Sequence, residues 1–60
     1  MYMLTDEPEG HNAAWEALDD AFGVEDFTKD NALQILEQAG ITYPPSTFDR
    51  LVSGGYVSEV

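Results

Sequence analysis

No cysteine occurs anywhere in this 60-residue chain, so neither disulfides nor thiolate metal sites can hold it, and its fold must rest on packing alone or on self-association. The length allows a single domain over residues 1–60, and a domain of this size buries only about 60% of the surface its unfolded chain exposes. A core that small does not enclose a deep pocket, which argues against an enzyme. No apolar stretch approaches the roughly 20 residues of a membrane span. The opening segment MYMLTDEPEG has neither the basic start nor the apolar centre of a secretory signal. The expectation is a soluble cytoplasmic protein with no membrane partner.

Six Asp and six Glu stand against Lys29 and Arg50, giving a formal charge of −10 and an isoelectric point near 4.1. Two fixed cations cannot form a basic stripe, which excludes broad nonspecific binding to phosphate backbones or anionic membranes. High net charge with low hydrophobicity prevents collapse. Here, however, 43% of the residues are apolar, seven are aromatic, and the apolar positions are periodic, so an ordered domain is expected. Multimolar salt supplies a second cause for the acids. At about 1 M ionic strength the Debye length falls to about 3 Å, and a dense carboxylate surface then repels itself little. The composition is similar to that of proteins from extremely halophilic archaea; the competing reading is an acidic interaction domain of an ordinary cell.

Along the chain, Tyr2 to Thr5 predict a short strand and residues 6–10 a loop. Ala14, Ala17, Leu18 and Ala21 fall at i, i+3, i+4 and i+7, predicting a helix over about 12–22 with Asn12 as its cap and Gly23 at its exit. Ala32, Ile35, Leu36 and Ala39 repeat that spacing after Thr28, predicting a second helix over about 29–39 closed by Gly40. Pro44 and Pro45 forbid its continuation. Pro45 suits the first turn of a third helix over about 45–53, with Ser46 or Thr47 as cap and Phe48, Leu51 and Val52 on one face. Gly54 and Gly55 are expected to stop it with left-handed backbone, and residues 56–60 alternate as a strand does. That strand needs a partner: residues 2–5 are the first candidate and residues 25–28 the second. The fold class is therefore mainly α, three helices with a minimal antiparallel sheet made by the terminal strands.

Motif tests remove most chemistry. Residues 19–30 have the length of a calcium loop, but Ala21, Gly23 and Val24 occupy its third, fifth and sixth positions, where oxygen ligands and a glycine are required. His11 is the sole histidine and has no cysteine to join it, so it reads as a surface residue at the entrance of the first helix. Nothing marks a base for Ser46, Ser53 or Ser58, and Gly54-Gly55 lacks a phosphate-loop context. No catalytic residue, metal site or cofactor is expected. Trp15, Phe22, Phe27, Phe48 and Tyr56 are expected in the core, whereas Tyr2 and Tyr43, in a terminal strand and a proline-containing loop, are expected to be exposed as a contact patch.

The most informative segment is residues 28–60. A capped helix, a turn after Gly40, a short helix rich in small hydroxyls and then Leu51-Val52-Ser53-Gly54-Gly55-Tyr56-Val57 entering a strand resembles the middle of a winged helix-turn-helix domain. The resemblance covers about half the chain. Its departures are the long connection Ile41-Thr42-Tyr43-Pro44-Pro45 and the lack of a returning wing strand after Val60. It implies a recognition helix that presents Ser46, Thr47, Asp49 and Arg50 to a major groove, with Lys29 as the remaining cation for phosphate. It implies a small DNA-binding transcriptional regulator acting at high salt, as a homodimer paired through terminal strands. The alternative is an acidic protein-interaction module that uses the same fold without DNA and contacts a protein partner through Tyr2 and Tyr43.

Overall fold

Each helix begins and ends where the chemistry of its termini dictates. The computed structural model describes residues 1–60 as β1 (Tyr2–Leu4), α1 (Ala13–Phe22), α2 (Lys29–Gln38), α3 (Pro44–Ser53) and β2 (Val57–Glu59). Three ten-residue helices hold half the chain, and the terminal strands form a two-stranded antiparallel sheet. No helix is long and apolar enough to cross a membrane.

Asn12 Oδ1 accepts the Trp15 backbone N–H at 3.0 Å and Thr28 Oγ1 accepts that of Asn31 at 3.1 Å, so α1 and α2 both carry side-chain caps. The third helix departs from expectation. It starts at Pro44, Tyr43 occupies its cap position, and no side chain caps it; Ser46 and Thr47 lie inside the first turn. Two consecutive prolines explain this. They carry no N–H, so two of the donors that a cap would serve are absent, and the Thr47 N–H bonds the Tyr43 carbonyl at 3.0 Å.

The glycine pair after α3 divides its work. Gly55 alone is left-handed, with φ of 82°, and the Tyr56 N–H reaches back to the Leu51 carbonyl at 3.0 Å, the pattern of a Schellman turn. Gly54 is helical in φ, contrary to the expectation of a left-handed residue, and serves by having no side chain. A Cβ there would lie 2.6 Å from the Tyr56 ring.

β1 makes backbone pairs on both of its edges. On one side it pairs with β2 in the register Tyr2↔Glu59, Met3↔Ser58 and Leu4↔Val57. On the other, Tyr2 exchanges both backbone hydrogen bonds with Phe27, at 2.7 and 2.8 Å. Of the two candidate partners for the last strand, the first is the one used: residues 2–4 pair with it, whereas Phe27 of the second candidate bridges to Tyr2 of β1 and not to β2. Beyond β1, the Thr5 hydroxyl donates to the Gly55 carbonyl at 2.9 Å and lies 3.0 Å from the Ser58 hydroxyl. Its single proton being committed to Gly55, Ser58 is the donor of the second bond. This clamp fixes the turn that leads out of α3.

The core contains Ala14, Leu18, Phe27, Ala32, Leu36, Phe48, Leu51 and Val57, with no buried polar or charged residue. Of the aromatic residues expected inside, Phe27 and Phe48 are buried, whereas Trp15, Phe22 and Tyr56 are half-buried on the perimeter. Eight positions exhaust what 60 residues can enclose, so the remaining rings cover the core from outside. Phe22 stacks on Phe27 with centroids 4.5 Å apart, which ties the end of α1 to the β1 bridge. The accessible surface is 3911 Å². A compact monomer of this mass exposes about 3900 Å²; a second copy is not required to complete the core.

Candidate functional site

Helix α3 packs Phe48 and Leu51 inward, with Pro44, Thr47 and Val52 half-buried at the margins. A 3.6-residue period then places Ser46, Asp49, Arg50 and Ser53 on the opposite face, and all four are exposed. Thr47, expected on that face, sits at its border. Ser53 was not among the expected residues, although its position four residues after Asp49 marks it as a member of the stripe.

Lys29 is brought to the same face from the first turn of α2. Its ammonium lies 3.8 Å from Asp49 Oδ1 and 6.0 Å from the centroid of the Phe48 ring. Both side chains of the ion pair are largely solvated, at 47% and 69% exposure, so the pair adds only about 0–1 kcal/mol. Its effect is positional: the one acid on the α3 stripe is partly offset by a cation from the neighbouring helix. Arg50 has no ion-pair partner within the chain. His11 contacts Glu16 at the start of α1.

The two tyrosines expected as a patch have different environments. Tyr43 is 72% exposed at the cap position of α3. Tyr2 is half-buried and meets Phe48 edge-on, with centroids 5.0 Å apart and planes at 85°. The correction has a simple cause: β1 lies between β2 and the Phe27 bridge, and Tyr2 and Leu4, two residues apart on the strand, pack against the core.

Concave surface lies elsewhere. Two shallow grooves, about 280 and 250 Å³, share Trp15 in their walls, and neither includes a residue of α3. The exposed face of α3 lines neither groove. An exposed polar stripe on a helix suits insertion into a complementary groove of a macromolecule, whereas small-molecule sites are concave and largely apolar. Comparison of the chain with protein-family models, with curated proteins and with solved structures finds no match. The functional reading therefore rests on the residues and their arrangement.

Proposed function

We propose that the protein is a small DNA-binding transcriptional regulator of a halophilic cell, cytoplasmic, with α3 as its recognition helix. The observation that carries this reading is Arg50, the one basic side chain without an acidic partner, on the exposed stripe of a helix. The order of α2, a glycine turn, α3, a second glycine turn and a strand supports it through the resemblance to winged helix-turn-helix domains. In this reading Arg50 donates bidentately to a guanine edge, Asp49 accepts from a cytosine amino group, and Ser46, Thr47 and Lys29 bond phosphate or base edges. At molar salt most counterion-release affinity is lost, so recognition rests on these hydrogen bonds, on shape and on pairing of two copies.

The expected pairing element is the outer edge of β2, because β1 is already flanked on both sides. A second reading, an acidic protein-interaction module, is favoured by Tyr43, an aromatic ring in water beside the same helix. Titrating isotope-labelled protein with duplex DNA fragments in molar KCl separates the two. Shifts confined to the amides of Lys29 and residues 46–53 support the DNA reading; no movement there with any fragment overturns it.

A further inference from the structure

We propose that the groove between α1 with its glycine exit and β1 with the residues that follow it is a docking site for a cationic peptide segment, an arginine or lysine flanked by an aliphatic side chain. The groove is about 250 Å³. Its apolar wall includes Leu4, Trp15 and Val24, and its polar wall Asp6, Glu7 and Asp19. It shares no residue with the α3 face, so this proposal stands apart from the DNA reading.

Val24 is the most exposed large apolar residue of the molecule, at 92%. The glycine exit of α1 places it outside the core and beside the half-buried ring of Trp15. An aliphatic side chain left in water at the rim of a groove gains by being covered.

Charge complementarity selects the occupant. No cation of the chain lies within ion-pair distance of Asp6, Glu7 or Asp19, because the only ion pairs are His11 to Glu16 and Lys29 to Asp49. The Glu7 backbone N–H donates to Asp6 Oδ1 at 3.0 Å, which orients that carboxylate. Nucleic acid and anionic lipid are repelled here, and a second copy of the chain brings a charge of −10 of its own. A guanidinium answers all the features at once: carboxylates accept its N–H groups in pairs, and the Trp15 face attracts its charge. The volume is below the roughly 300 Å³ at which small-molecule pockets begin, and it suits one or two side chains of an extended segment.

Trp15 is the only tryptophan and lines both grooves, so its emission reports binding beside it, and substitutions at Asp19 and Val24, which line this groove alone, assign the change. The probe is a synthetic peptide of alternating leucine and arginine, with leucine–glutamate and serine–arginine peptides as controls. The expected result is a saturable change in Trp15 emission with the leucine–arginine peptide alone, weaker in molar than in decimolar KCl. Asp19→Asn and Val24→Ser should each weaken binding about three- to tenfold, with Glu37→Gln, which removes an exposed acid outside the groove, leaving it unchanged. These positions are exposed, and circular dichroism checks that the variants keep the fold. Equal binding of either control peptide, the same emission change with duplex DNA, or the absence of a saturable change overturns the proposal. The peptide comparison on the unaltered protein decides the matter even if a variant unfolds.

Discussion

Residues 1–30 and residues 31–60 are built alike and charged differently. The first half holds nine acids and Lys29, a net −8; the second holds Glu37, Asp49 and Glu59 against Arg50, a net −2. Both contribute to one core, Leu18 and Phe27 from the first and Phe48 and Leu51 from the second. The grooves beside Trp15 use only residues of the first half, and the exposed stripe of α3 belongs to the second. The difference teaches that the charge of −10 is not a uniform coat. It is concentrated on one part of a shared scaffold, and the α3 face stays nearly neutral.

The largest expected effects test whether the two halves share one core. Phe48→Ala and Leu18→Ala should each cost about 3–5 kcal/mol, enough to unfold most of a domain this small. Thermal melts followed by helix and by tyrosine signals should coincide in both variants. Loss of α1 alone in Leu18→Ala, with α2 and α3 intact, would break the comparison into two independent units.

Screening sharpens the charge difference. Stability should rise from decimolar to molar KCl, and replacing Glu7, Asp19 and Asp20 by their amides should reduce that dependence more than amide replacement of Glu37, Asp49 and Glu59. Denaturant midpoints across a salt series measure it. Equal reductions would mean that the position of the acids is immaterial.

Smaller effects probe the helix ends. Gly54→Ala should cost about 1–3 kcal/mol, because the new methyl meets the Tyr56 ring. Thr28→Ala should cost about 1 kcal/mol through its lost cap, whereas Ser46→Ala should stay within about 0.5 kcal/mol because Ser46 caps nothing. Chemical denaturation resolves all three. Lys29→Gln, which breaks a solvated ion pair, belongs at the bottom of the series at about 0–1 kcal/mol.

Much of this arrangement is legible in the sequence because it is local. The apolar stripes of α1 and α2 and the caps Asn12 and Thr28 depend on residues three or four apart, and periodicity finds them. The cap of α3 misleads because Ser46 and Thr47 offer hydroxyls, whereas Pro44 and Pro45 begin the helix themselves and remove two of the donors that a cap would serve. Tyr2 misleads for a different reason. Its burial follows from β1 lying between Phe27 and β2, a juxtaposition of segments far apart in the chain. The α3 stripe, apart from the border position of Thr47, is legible from helical spacing. The groove is not, because Leu4, Trp15 and Val24 meet only once the strand and helix pack.

The central claim is that the nearly neutral α3 face, through Arg50, reads nucleotide sequence. The direct measurement is enrichment of random duplex fragments by the protein and by Arg50→Ala in molar KCl. The account predicts that the unaltered protein enriches a guanine-containing motif and that Arg50→Ala loses about 1–3 kcal/mol of discrimination at one position of it. Enrichment of no motif, or of the same motif by both proteins, would contradict it.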